Sequence, residues 1–188
     1  RKVVTEAERL SGNLVMLRLV TLQDCTESYC AWLADPEVNR YLETRWHDQT
    51  VERIRDFVQA MVVSPDNYLF AIVELSTAKH VGNIKLGPVN WHHGCADVSY
   101  FVGDRTAWGR GLATDAIRVV TRFGFSRLGL HRLQAGLYSG NVGSARALEK
   151  AGYRHEASLR SQLRGPNGWE DHIWYGILED ECDGVRKR

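Results

Sequence analysis

Ala107-Trp108-Gly109-Arg110-Gly111-Leu112-Ala113-Thr114-Asp115-Ala116 is a glycine-rich stretch that runs directly into an apolar-periodic segment, Ile117 to Leu128. Ala113, Ala116, Ile117, Val120, Phe123 and Gly124 recur at steps of three and four, so they share one face of a helix of about four to five turns. Upstream, Ala96, Val98, Tyr100 and Val102 alternate with Asp97, Ser99 and Phe101, the period of a strand. The unit is therefore strand, glycine loop, helix. Glycines let backbone N–H groups approach a ligand closely, and the first amides of a helix are unpaired at the positive end of its dipole. Such a loop is built to hold phosphate.

Two common phosphate loops are excluded by spacing. A nucleoside-triphosphate loop needs Lys after its last glycine, and none follows Gly111. A dinucleotide loop needs Gly or Ala three places after its second glycine, where this chain has Thr114. The segment resembles instead the acyl-CoA pyrophosphate loop of the GCN5-related N-acetyltransferases: Gln or Arg, two residues, Gly, one residue, then Gly or Ala. Gly111 and Ala113 fill its last two places, and Trp108 stands where Gln or Arg is usual. The run from Trp108 to Ala116 looks like the branch typified by the ribosomal-protein N-terminal acetylases.

A second stretch carries the same resemblance. Asn141-Val142-Gly143-Ser144 is followed by Leu148-Glu149-Lys150-Ala151-Gly152-Tyr153. Many relatives place Asn at the start of this helix to bond the pantetheine arm, and close the helix with Gly-Phe or Gly-Tyr. The resemblance covers roughly residues 14–179, and two motifs in the right order are more specific than either alone. It implies a single mixed α/β, α+β-like domain: a central, mostly antiparallel, splayed sheet flanked by helices. It also implies that the strands around Asp97 to Val102 and Leu133 to Tyr138 part to admit acetyl-CoA. Expected cofactor contacts are backbone groups of Phe101 and Val102, the loop Trp108, Gly109, Arg110, Gly111, Leu112, Ala113 and Thr114, and then Asn141 and Ser144.

The chemistry says which side chains to seek. An amine of pKa near ~10 is mostly ammonium at neutral pH, and only the neutral form attacks a thioester. Asp97, facing away from the apolar row, is a candidate base, directly or through water; it can equally be a structural acid paired with Lys85. The tyrosine that many relatives carry seven residues after the Asn is Leu148 here, so Ser144 is the candidate donor to the leaving thiolate, unless it only caps its helix. Direct transfer in a ternary complex is the simpler reading. Arg146 and Lys150 can meet a 3′-phosphate or only water. Tyr153 reads as a core aromatic. His92, His93 and Cys95 lack a fourth ligand at suitable spacing, so no metal is expected.

The rest of the chain agrees with one domain. Its 188 residues, 44% of them apolar, carry a formal charge of +1, which gives no bias toward nucleic acid. Four cysteines without a Cys-x-x-Cys pair read as reduced thiols and a cytoplasmic setting, and no apolar run approaches the ~20 residues of a membrane span. Residues 1–12 are expected as a flexible N-terminal tail, 13–180 as the domain, and 181–188 as a polar C-terminal tail, with Arg186-Lys187-Arg188 solvated. Strands are expected at 14–19, 68–75, 81–89, 133–138 and 169–178. Thr21 is read as a helix cap, Asp35-Pro36 as the start of a short helix, and 51–62 as an amphipathic helix.

The acceptor is expected between Arg40, Glu43 and Arg45 and the loop 160–169. It is either a protein N-terminal amine or a small amine such as an amino sugar or sugar nucleotide. A non-catalytic acyl-CoA-binding module is the reading from another class, distinguished by the absence of a base and a thiolate donor. Nothing in the sequence speaks to oligomeric state.

Overall fold

The alternation upstream of the glycine loop forms strand β5, Cys95–Val102, and the periodic segment downstream forms helix α4, Leu112–Ser126. The structure is a computed structural model and describes residues 2–184. Seven further strands build one sheet around β5: β1 Leu10–Ser11, β2 Val15–Leu19, β3 Tyr68–Glu74, β4 His80–Asn90, β6 Arg132–Tyr138, β7 Arg154–Gly165 and β8 Gly168–Leu178. Their order is β1-β2-β3-β4-β5-β6-β8-β7. All described pairs are antiparallel except β5 with β6, which are parallel and paired only at Cys95↔Arg132, Ala96↔Leu133 and Asp97↔Gln134. Beyond Asp97 the two strands part, as the resemblance implies.

The remaining helices are α1 Glu27–Ala34, α2 Pro36–Asn39, α3 Val51–Val63 and α5 Val142–Lys150. Two apolar cores lie on opposite faces of the sheet. On one, Ala116, Ile117, Val120 and Phe123 of α4 and Leu148 of α5 pack on Phe70, Ile84, Val98 and Leu133. On the other, Tyr29 and Leu33 of α1 and Ile54 and Val58 of α3 cover Leu69, Ala71 and Val73. Strand β3 is therefore buried on both sides along its whole length, which is why it reads as an apolar run rather than an alternation. Gly124 of α4 lies so close to the sheet that a Cβ there would be 2.9 Å from Leu86 Cδ1.

Four expectations are corrected. Residues 2–12 pack rather than trail: Val4 is buried, Lys2 Nζ donates to the Met61 carbonyl (2.6 Å), and β1 pairs with β2. Val4 and Leu10 supply the apolar contacts that a short polar segment conceals. Thr21 opens only a 3-10 turn, Leu22–Asp24, with Asp24 closing a capping box on it; Thr26, whose hydroxyl accepts from Tyr29 N–H, caps α1. The loop expected at 160–169 is the end of β7 and the turn of a long hairpin. β7 is an edge strand exposed on most residues and interrupted by register shifts, so it carries neither alternation nor a β-branched run. At the start of the expected C-terminal tail, Glu181 closes a 3-10 turn, Glu179–Glu181, and Cys182 packs against the larger core; Arg186 to Arg188 lie outside the described residues. Among the described residues no helix is long and apolar enough to cross a membrane.

Candidate active site

A cleft of about 640 Å³ opens where β5 and β6 part, walled by the end of β5, the glycine loop, the first turns of α4 and α5, and the α2 segment. The glycine loop is what shapes its floor. Gly109 (φ +70°) and Gly111 (φ +79°) occupy left-handed backbone that other residues rarely adopt, and this turns the chain into α4. Gly111 is the N-cap and brings no side chain to the helix end. Thr26, Thr50 and Asn141 each cap their helices with a side-chain oxygen. The first backbone bond of α4 is Asp115 N–H to the Gly111 carbonyl (3.1 Å), so the amides of Leu112, Ala113 and Thr114 precede the helical ladder, and all three residues line the cleft. Gly109 and Gly143 line the same space, and a Cβ at either would meet no atom within 4 Å. The walls thus leave room where an anionic chain would approach backbone.

Most of the expected cofactor residues are gathered here. Phe101, Val102, Trp108, Gly109, Gly111, Leu112, Ala113, Thr114, Asn141 and Ser144 all line the cleft, joined by Arg146 and Lys150 of α5. Trp108, in the place where Gln or Arg is usual, donates its Nε1–H to the Val102 carbonyl (2.8 Å), tying the loop to the end of β5. Phe101 contributes backbone, since its ring packs in the second core against Tyr29 and Trp32. Arg110 is the exception. Its guanidinium leaves the cleft and grips the Glu74 carboxylate at the end of β3, and that ion pair holds the carboxyl below the usual range. A left-handed residue on either side of Arg110 reverses the chain there, so its side chain points out of the loop.

Asn141 caps α5, its Oδ1 accepting from Ser144 N–H (3.3 Å), which leaves the amide NH2 group for other partners. Ser144 Oγ is 2.6 Å from the hydroxyl of Tyr100. Burial pushes the Tyr100 phenol above its ordinary pKa. In the sequence Tyr100 belongs to the apolar row of β5; what reveals it is its position beyond the last β5–β6 rung, where a row that is core elsewhere lines the cleft. Leu148 is 1% exposed in the core.

Asp97 sits at the closed end of the gap, on the last rung joining β5 to β6, and on the sheet face opposite Tyr100 and Ala96. Its Oδ1 accepts from Gln134 Nε2 on β6 (2.8 Å), and its charge acts on Lys85, whose pKa is lowered by burial and raised by that carboxylate. Asp97 is not on the wall of the cleft; it lies behind the splay rather than along it. The Tyr100 and Ser144 hydroxyls and the Asp97 carboxylate therefore stand on opposite faces of the sheet.

Of the acceptor residues, Arg40 lines the cleft, while Glu43 and Arg45 stand beside it. Glu43 accepts from the Tyr138 hydroxyl at the end of β6 and from Trp46 Nε1 (3.0 Å); burial and that carboxylate push the Tyr138 phenol up to about 12. Arg45 donates to the Arg164 carbonyl on β7 and lies over the Trp46 and Tyr138 rings. The 3-10 turn Glu43–Trp46 and the β7–β8 hairpin are thus bound together. Glu170 of β8 accepts from Gly140 N–H (2.6 Å) and fixes the turn before α5.

Residues 15–154 match the model of the acetyltransferase (GNAT) domain family. The chain is similar to a Bacillus subtilis (strain 168) protein named "Probable N-acetyltransferase YjcK", 33% identical over 131 residues, 69% of this chain and 71% of that one. It superposes on an acetyltransferase (GNAT family) from Bacillus anthracis with a TM-score of 0.79, at 24% identity, covering 93% of this chain and all of the other. It also superposes on RimL, a ribosomal L7/L12 alpha-N-protein acetyltransferase in complex with coenzyme A, with a TM-score of 0.81 at 12% identity, covering 91% and 98%.

Proposed function

The chain belongs to the GNAT acetyltransferase family, and from that premise we propose that its cleft takes acetyl-CoA and that Asp97, Ser144 and the splayed strands between them serve acetyl transfer to a primary amine. The observation that carries this reading is the uncapped N-terminus of α4 opening into the gap between β5 and β6. The amides of Leu112, Ala113 and Thr114 bind the pyrophosphate through hydrogen bonds and the helix dipole. Arg146 and Lys150 lie on the same wall for the 3′-phosphate. The Asn141 amide and the backbone near Phe101 hold the pantetheine arm.

Acetyl-CoA supplies the activated acyl group; the chain supplies position and protons. Asp97, on the acceptor side of the sheet, takes the ammonium proton directly or through a water. Ser144, on the other side, donates to the departing sulfur. On this reading the two groups act from opposite faces of the sheet, at the gap that begins where the β5–β6 rungs end, at Asp97. Transfer is direct, in a ternary complex.

For the acceptor we propose a protein N-terminal amine, on the likeness of the fold to RimL, with entry between the α2 segment and the β7–β8 hairpin. A screen of peptide N-termini, amino sugars, sugar nucleotides and polyamines, read by free-thiol release, tests it; turnover confined to small amines would reassign the acceptor. The cofactor assignment is tested by calorimetry with CoA. Gly143→Val adds a side chain into the cleft where nothing in the protein obstructs it, and Gly111→Val adds one at the helix cap. Both are expected to weaken binding by about 10-fold or more, since a hydrogen-bonded phosphate displaced from its amides loses charge-assisted bonds of roughly 1.5–3 kcal/mol each. Unchanged affinity in folded Gly143→Val would place the cofactor elsewhere.

A further inference from the structure

The position seven residues after Asn141 is occupied by Leu148, which is committed to the core. A phenol nevertheless reaches this part of the cleft, from the strand instead of the helix. Tyr100 lies three residues past the last β5–β6 rung, and its hydroxyl is 2.6 Å from Ser144 Oγ on α5. Both residues line the cleft. We propose that Tyr100 is a positioning residue: its phenol donates to Ser144 Oγ and so turns the serine's own proton toward the thioester sulfur. This rests on reading the cleft as the acetyl-CoA site.

The direction of the bond follows from acidity. A phenol is a far stronger acid than an aliphatic hydroxyl, so the phenol donates and the serine oxygen accepts. A serine hydroxyl otherwise rotates to whatever acceptor is near. Among the described residues, Tyr100 is the hydrogen-bond partner of the Ser144 hydroxyl, so its bond is what sets the rotor. Burial keeps the phenol protonated through neutral pH. A donor that is itself polarised by a hydrogen bond donates more strongly.

In the transfer step the acceptor nitrogen's lone pair forms the C–N bond and the C–S bond breaks, its electron pair going to sulfur. Asp97 or its water passes the ammonium proton to solvent before the attack, and the nitrogen's second proton, released as the C–N bond forms, follows the same route. Ser144 O–H, held by Tyr100, stabilises the thiolate, which takes its proton from solvent on release.

The test is the thiol pKa of CoA bound to the protein, read from ultraviolet thiolate absorbance across pH, beside steady-state rates. Ser144→Ala should raise the bound thiol pKa by about one unit, the worth of one hydrogen bond to a charged group. Tyr100→Phe should raise it by roughly half a unit, lower kcat by about 3-fold and leave KM for acetyl-CoA within about 2-fold. The double variant should be no slower than Ser144→Ala alone, because Tyr100 acts through the serine. Placing 3-fluorotyrosine at position 100, a stronger donor of nearly the same shape, should move the pKa the opposite way; this variant serves if Tyr100→Phe does not fold. A bound thiol pKa indifferent to both Tyr100 substitutions, or rate losses that multiply in the double variant, overturns the proposal and leaves the cofactor site standing. Wild-type protein that does not bind CoA overturns both.

Discussion

Asp97 is held where two strands stop being a sheet. It is the last residue of β5 with a partner on β6, and Gln134 of that rung donates to its carboxylate. A side chain fixed at one oxygen retains lone pairs for a proton, which suits a base; the nearby Lys85 charge also suits a purely structural acid. Asp97→Asn separates the two, because an amide can still accept from Gln134 but cannot take the ammonium proton. If Asp97 is the base, turnover should fall by roughly 10²-fold with CoA affinity little changed. The loss should shrink as pH rises, since more of the amine is then neutral before it binds. A pH–rate profile with one identified acceptor, beside a thermal melt, decides it; near-normal turnover at neutral pH would leave Asp97 as an anchor for Gln134 and Lys85. Its outward direction was legible from the alternation of β5. Its place at the vertex was not, because pairing ends for reasons that lie on β6.

At the scale of elements, the two helix N-termini that meet in the cleft are finished differently. α4 begins at a glycine with its amides uncapped, and α5 begins at Asn141, which caps. The resemblance implies a ligand role for Asn141, and the structure gives it a structural task as well. Asn141→Ser distinguishes them: Ser caps a helix about as well as Asn, so stability should change by less than about 0.5 kcal/mol. Losing the amide should nevertheless raise KM for acetyl-CoA by about 5-fold, one neutral hydrogen bond of roughly 1 kcal/mol. A rise confined to the acceptor's KM would show that the amide faces the amine. Strand β7 is the element that sequence patterning missed, since an edge strand exposed on both sides has no face to mark with apolar residues.

Across the whole molecule, the cleft depends on α4 being docked on the sheet, and one buried carboxylate helps to fix that docking. Asp115 is 4% exposed, and its Oδ2 accepts from the backbone N–H groups of Leu14 (2.8 Å) and Val15 (3.0 Å), about a hundred residues away in the chain. Gly12 passes so near that a Cβ would be 2.3 Å from the same oxygen. Asp115→Ala leaves two amides at the start of β2 without an acceptor, and should cost roughly 2–4 kcal/mol, seen as a lower Tm in thermal melts. Because the anchored turn is also the first turn of α4, CoA affinity should fall in the same variant. A melt within about 1 °C of wild type would show that β2 finds other partners.

The sequence by itself determined the strand, glycine loop and helix, the second motif at Asn141 to Tyr153, and through them the family and the location of the cleft. These are legible because hydrophobic period and glycine placement are local properties, written within a few residues of where they act. Tertiary structure alone decided that Val4 and Leu10 of the first residues pack on the core and that Arg110 turns to Glu74 instead of into the cleft. It also decided that Asp115 ties β2 to α4, and that Tyr100 reaches Ser144 across the parted strands. Each of these joins residues separated by 36 or more positions. Their meeting depends on how β5 and β6 diverge and how α4 docks, and no pattern within either segment encodes that.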